Sequence, residues 1–209
     1  MSDFSLIETM RWEPGTGIVR LRLHLARLKR SAGRLGFAGA EQAAEKLADM
    51  QGENLPLRVR LTLSPVGEIA VTTAPFSPLP EDTIWRVAIA STQLDSTNTL
   101  LRHKTTRREI YEAARAEYPA ADADEVLLLN EKGEPCEGTI TSIFLDDGTG
   151  ILKTPPISCG LLAGVLRTEL ICARRARIQR LTLADLQTGT LYMGNSLRGL
   201  IRAELQPEN

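Results

Sequence analysis

Leu101-Arg102-His103-Lys104-Thr105-Thr106-Arg107-Arg108 is the stretch on which the reading of this chain turns. A strand-like run, Ile84 to Ser91, leads to it through a polar segment, and a helix from about Arg107 to Glu117 follows. Side chains at such junctions converge on ligands, because loops held by a rigid scaffold carry function. The chain has five lysines. Lys29 and Lys46 fall on helix faces read as solvated, Lys132 lies in a hairpin turn, and Lys153 sits beside Gly148-Thr149-Gly150. Lys104 is therefore the candidate for a covalent amine, the alternative being a solvated lysine with its stem on apolar surface.

Upstream, Phe4 to Arg11 reads as a strand and Trp12 to Gly17 as a turn around Pro14-Gly15. Leu21, Leu25, Leu28, Ala32 and Leu35 recur at helical spacing with Gly36 as a stop, and a second helix is expected from about Ala40 to Met50. Leu57 to Leu63 alternates apolar and polar residues, Ser64-Pro65-Val66-Gly67 turns, and Glu68 to Thr73 pairs back. Three prolines within Ala74 to Glu81 disfavour helix and central strand, so residues 75–83 are expected to link a domain of residues 1–74 to one of residues 84–209. Downstream, Val126–Leu129 and Ile140–Leu145 are strand-like, Gly164 to Ala176 is long enough for a helix, Leu183 to Leu186 for one turn, and a last strand is expected near Leu191–Met193.

The chain's 209 residues suffice for a sizeable core, and 43% hydrophobic with 24% charged residues describe an ordinary globular protein. A net charge of −1 supplies no general field for nucleic acid or an anionic membrane. Cys136, Cys159 and Cys172 follow no metal-binding or disulfide spacing, so no metal is expected. The N-terminus lacks a leader pattern and no run is long enough to span a membrane, which makes the cytoplasm the expected location.

Other residues with chemical potential lie around Lys104 in sequence. Glu137, in Cys136-Glu137-Gly138-Thr139-Ile140-Thr141-Ser142-Ile143-Phe144, is either an exposed turn carboxylate or a charge set against a ligand ring among small residues. His24 and Arg27 share a helix face. Arg27 suits bidentate phosphate binding, the alternative being a solvated basic stripe. Leu162-Ala163-Gly164-Val165-Leu166-Arg167 and Met193-Gly194-Asn195-Ser196 are small-residue loops whose backbone N–H groups suit an anion.

Taken in order, Ile7-Glu8-Thr9-Met10-Arg11, Leu21 to Leu28, His103 to Arg107, Glu137-Gly138 through Phe144, Leu162 to Arg167 and Asn195-Ser196-Leu197-Arg198-Gly199 resemble the class IV aminotransferases, the fold-type IV pyridoxal-phosphate enzymes. The resemblance spans nearly the whole chain. It implies an α+β fold of two domains, a small α/β domain first and a larger pseudo-barrel domain second. It also implies that Lys104 holds pyridoxal 5'-phosphate as a Schiff base, that Glu137 pairs with the ring nitrogen, and that Arg27 binds the phosphate. Val165, Leu166, Asn195 and Ser196 would complete the phosphate cup, and Tyr111 would meet the cofactor's phenolic oxygen.

Within the family, the Asn195 to Gly199 motif and the Lys104-Thr105-Thr106-Arg107 context are most similar to members that release pyruvate from 4-amino-4-deoxychorismate to give 4-aminobenzoate for folate synthesis. This implies a lyase with Lys104 as its base, Thr9 on the substrate side, and Arg58, Arg60 or Arg198 on the substrate carboxylates. The alternatives are a branched-chain or D-amino-acid aminotransferase and a non-catalytic homologue. A homodimer acting on a small molecule is implied. Two departures from the family pattern stand out: the usual leading hairpin with its Gly-Asp-Gly approach is missing, and the hairpin after Arg60 is short.

Overall fold

In a computed structural model, which describes residues 4–48 and 54–207, the chain divides into two units. The first comprises residues 1–79 together with 103–107; the second comprises 80–102 and 108–209. The change of unit after Leu79 falls inside the segment expected to link two domains. The Lys104 segment, however, belongs to the first unit, whereas the sequence suggested the second.

The first unit is a four-stranded sheet with one long helix. Strands β1 (Leu6–Glu13), β2 (Gly17–Ile18), β3 (Leu57–Leu63) and β4 (Ile69–Pro75) lie in the order β2-β1-β3-β4, all antiparallel. β1 runs on through Trp12 and Glu13, where a turn was expected, because β2 pairs with these two residues. Pro75 closes β4 opposite Leu57, so the strand reaches into the expected linker.

Helix α1 (Leu21–Leu35) ends at Gly36, whose positive φ of 74° forms a left-handed cap. A 3₁₀ turn (Ala40–Gln42) and α2 (Ala43–Ala48) follow, and the end expected at Met50 lies outside the described residues. The period-2 pattern of β3 buries Leu57, Val59, Leu61 and Leu63 on one side of the sheet, packed with Leu6, Met10, Leu28, Ala32, Phe37 and Leu47. Arg58 and Arg60 consequently stand exposed on the opposite face.

The second unit is a barrel. Its strands are β5 (Ile84–Ile89), β6 (Glu125–Leu129), β7 (Pro135–Gly138), β8 (Ser142–Asp146), β9 (Leu152–Thr154), β10 (Ala176–Ile178), β11 (Thr190–Asn195) and β12 (Gly199–Leu205). They run in the order β10-β9-β8-β11-β12-β5-β6-β7, and β7 pairs back to β8 through Glu137 and Ser142. That single pair closes a ring of six strands, with β9 and β10 branching from β8. Parallel pairs β12–β5 and β5–β6 sit in the middle, and β6 is buried along its whole length, as continuous apolar runs in covered parallel strands are.

Helix α3 (Glu109–Ala116) packs with Val126, Leu128, Cys136 and Leu161. α4 (Val165–Cys172) packs with Phe144 and Ala176, and α5 (Leu183–Thr188) opens on a Thr182–Asp185 capping box. α4 stops at Cys172, short of the expected Ala176, because Ala176 begins β10. Among the described residues no helix is long and apolar enough to cross a membrane.

Candidate functional site

In the first unit, Glu8 lies on the helix-facing side of β1 and is 2% exposed. Its Oε1 accepts from Arg27 Nε at 2.9 Å, and its Oε2 accepts from Arg27 Nη2 at 2.6 Å and His24 Nδ1 at 2.6 Å. Burial pushes the Glu8 carboxyl up, but Arg27 and His24 outweigh it and hold the group at about 2. Burial lowers the His24 pKa against the pull of Glu8, so a neutral imidazole donates from Nδ1 to an ionised carboxylate. Spacing on α1 was enough to put His24 and Arg27 on one face, but their partner was not legible. An acid inside the apolar alternation of β1 was the available signal.

The backbone around Lys104 extends the same sheet. Ile7 N–H donates to Lys104 O at 2.9 Å, Thr106 N–H donates to Ser5 O at 2.9 Å, and Leu6 faces Thr105 in an antiparallel bridge. Residues paired this way share a face and alternate along the strand. Thr105 therefore lies with Leu6 on the helix side, as does His103, whose Nδ1 is 2.9 Å from Ser31 Oγ on α1. Lys104 lies with Ile7 on the other side. β1 places Thr9 and Arg11 on that side, and register opposes Thr9 to Arg60 and Arg11 to Arg58. Arg60 in turn opposes Thr72 on β4. Lys104, Thr9, Arg58 and Arg60 thus occupy one polar, cationic sheet face, in rows about 7 Å apart.

The second unit gathers its candidates around Ser142. Glu137 is 5% exposed and pairs with Ser142 at the barrel closure, while Ser142 pairs on its other side with Gly194. A Cβ on Gly164 would sit 2.5 Å from Ser142 Oγ, so only glycine permits the start of α4 to approach this closely. The closure thus brings Glu137, the Leu162–Leu166 loop and the Gly194–Ser196 turn to one end of the barrel. Glu137 Oε1 accepts from Tyr111 Oη at 2.7 Å, and Oε2 accepts from Leu162 N–H at 3.2 Å. Buried Arg167 adds positive charge nearby while donating to Thr154 Oγ1 and Pro155 O. Of the two readings of Glu137, the exposed turn carboxylate is overturned, because β7 carries the residue inward.

Glu125, 1% exposed, fixes the turn that follows Glu137. It accepts from the N–H groups of Thr139 and Ile140 and from the hydroxyls of Thr139 and Thr141. Nothing in the sequence around Glu125 marks that role. Asn195 spans two turns: Oδ1 accepts from the N–H groups of Leu197 and Arg198, and Nδ2 donates to Ile140 O at 3.2 Å. Its side chain therefore shapes the turn that follows β11. Ser196 is buried beside it at 6% exposure. Val165 and Leu166 open α4, where the first N–H groups have no intrahelical acceptor.

Three placements were not legible in the sequence. The guanidinium of Arg27, read as a phosphate ligand or a solvated basic stripe, is buried and donates to both oxygens of Glu8. The Tyr111 hydroxyl donates to Glu137 Oε1. Lys153, read as a lysine beside a turn, is fully buried, with its ammonium on Asp147 Oδ1 at 2.6 Å and on Thr149 Oγ1. Arg198, a third candidate for substrate carboxylates, stacks at 6.0 Å over Trp85 in the second unit. Among the described residues no group of His, Cys, Asp and Glu could hold a metal.

Residues 5–204 match the class IV amino-transferase family. The chain is 50% identical, with a TM-score of 0.90, to the solved structure of a provisionally named amino-acid aminotransferase from Mesorhizobium loti, covering 98% of this chain and all of that one. A provisionally named 4-amino-4-deoxychorismate lyase is 28% identical with a TM-score of 0.80 over 97% of this chain and 85% of that one. A provisionally named branched-chain-amino-acid aminotransferase of Methanocaldococcus jannaschii is 33% identical over 127 residues, which are 57% of this chain and only 42% of that protein's length. The barrel, the sheet and this near full-length match agree: the chain belongs to the class IV aminotransferases, a family of pyridoxal-phosphate enzymes of fold-type IV.

Proposed function

We propose that this chain binds pyridoxal 5'-phosphate through Lys104 and acts as a 4-amino-4-deoxychorismate lyase. The donor set of the barrel fits the cofactor. A buried carboxylate, Glu137, suits a protonated ring nitrogen, and the N–H groups opening α4 at Val165 and Leu166, with the Asn195-Ser196 turn, suit a phosphate. Once bound, pyridoxal phosphate supplies an electron-withdrawing ring that stabilises charge at the carbon bearing the substrate's amino group.

The chain's own residues do the rest. Lys104 Nζ, displaced by the substrate amine, takes the proton from that carbon. The bond to the enolpyruvyl oxygen then breaks as the six-membered ring becomes aromatic. Thr9 acts on the substrate side, where the departing enolpyruvyl group needs a proton to become pyruvate.

The observation that carries the lyase reading is the sheet face bearing Lys104, Thr9, Arg58 and Arg60. Two arginines in adjacent rows suit a substrate with two carboxylates, whereas a branched-chain amino acid brings one carboxylate and an apolar side chain. The 50% identity to a provisionally named amino-acid aminotransferase favours transamination as a second reading. The proposal includes a homodimer, which light scattering reads as twice the chain mass.

Purified protein is expected to be yellow, to take borohydride label at Lys104, and to release pyruvate from aminodeoxychorismate without an amino acceptor. Bleaching of the visible band by an amino acid alone, with no pyruvate from aminodeoxychorismate, establishes transamination instead. A colourless protein that takes up no cofactor refutes both.

A further inference from the structure

We infer that Tyr111 is a positioning residue for Glu137, its phenol keeping that carboxylate ionised so that the proton between Glu137 and the cofactor's ring nitrogen stays on the ring. The inference rests on the reading of Glu137 as the ring-nitrogen partner. Glu137 is buried at the barrel closure, and burial alone favours the neutral acid. Donors to the carboxylate favour the charged form, and two of them are Tyr111 Oη at 2.7 Å on Oε1 and Leu162 N–H at 3.2 Å on Oε2.

Tyr111 is itself held. Helix α3 carries it, and the Arg108 guanidinium stacks 4.8 Å from the centre of its ring while donating to Thr139 O at 2.5 Å. Thr139 belongs to the turn that Glu125 fixes behind Glu137. Arg108, Tyr111, Glu137 and the 138–141 turn are therefore linked by contacts within the barrel unit. Burial and the Glu137 charge push the phenol far above its ordinary range, so it stays a proton donor at every working pH.

Removing the hydroxyl takes one charge-assisted donor away from a buried carboxylate. The acid then competes for the proton, and the ring nitrogen becomes a neutral pyridine.

The test loads wild type, Tyr111→Phe and Glu137→Gln with pyridoxal phosphate labelled with ¹⁵N in the ring and records the ring-nitrogen shift. Tyr111→Leu removes the same donor should the Phe variant not fold. The expected result is a pyridinium shift in wild type that moves toward the neutral pyridine position in the Tyr111 variant, in the same direction as in Glu137→Gln. kcat should fall on the order of tenfold at unchanged KM, the scale of one hydrogen bond to a charged group.

An unmoved ring-nitrogen shift overturns the inference. If the pH midpoint of the visible band moves while the nitrogen shift does not, Tyr111 serves the phenolic oxygen and the inference fails. Wild type that binds no cofactor brings down the functional proposal itself, a distinct failure.

Discussion

Glu8→Gln removes the charge that Arg27 and His24 share while keeping the size of the side chain. Arg27 is 6% exposed and Glu8 is 2% exposed, so the variant takes the Glu8 charge away from a buried guanidinium. Breaking a buried pair by removing one partner costs about 3–5 kcal/mol. At roughly 2–4 °C per kcal/mol for a chain of this size, the melting temperature should fall by about 6–20 °C.

The pH dependence gives a second estimate. The folded carboxyl sits at about 2 against an ordinary value of 4.5. Because the folded value is the lower one, its stabilisation is fully present above pH 4.5 and is lost as pH falls from there to about 2. At about 1.4 kcal/mol per unit the gap corresponds to roughly 3 kcal/mol, which overlaps the first figure. Thermal melts followed by circular dichroism between pH 2 and pH 7 read both. Wild type should lose stability through that acid window, and Glu8→Gln should start lower and show a shallower acid limb. A variant melting within about 2 °C of wild type, with the same acid limb, would put the pair among solvent-screened ones and refute the argument.

Arg60→Ala and Arg58→Ala should each raise KM for aminodeoxychorismate on the order of tenfold or more with little loss of cofactor, as initial rates of pyruvate release would read, since each removes one charged hydrogen-bonding partner; unchanged KM in both would remove the carboxylate role. Gly138→Ala places a Cβ 2.4 Å from Thr141 Oγ1 and 2.8 Å from Glu125 Oε2, so it should destabilise the barrel by about 1–3 kcal/mol and weaken cofactor binding by shifting Glu137, with denaturant titration and cofactor titration as the two readouts.

The apolar pattern made much of the fold legible. α1 occupies Leu21–Leu35 because its leucines repeat at helical spacing up to Gly36, and the β3–β4 hairpin follows the alternation of Leu57 to Leu63. The closing strands were harder. β12, whose Ile201 and Ala203 alternate with Arg202 and Glu204, went unread because it follows directly on the turn after Asn195. β9 and β10 are only three residues each and are defined by pairing with each other, which no local pattern announces.

Around the candidate residues, side-chain partners far apart in sequence were not legible. Tyr111 reaches Glu137 across 26 positions and Glu8 reaches Arg27 across 19. Such pairs form only when separate elements pack. Lys153 misled because long aliphatic side chains usually extend to water, and here Asp147 and Thr149 draw the ammonium in.

The return of residues 103–107 to the first unit also sets an order of events. The Ser5–Ile7 edge of β1 finds its backbone partners in Lys104 and Thr106, and these leave the ribosome some 25 residues after Leu79. Until then the small sheet presents an unpaired edge, the kind of surface on which chains stick to one another. A fragment of residues 1–79 inherits that edge permanently, so the segment that carries Lys104 is also the one that finishes the sheet.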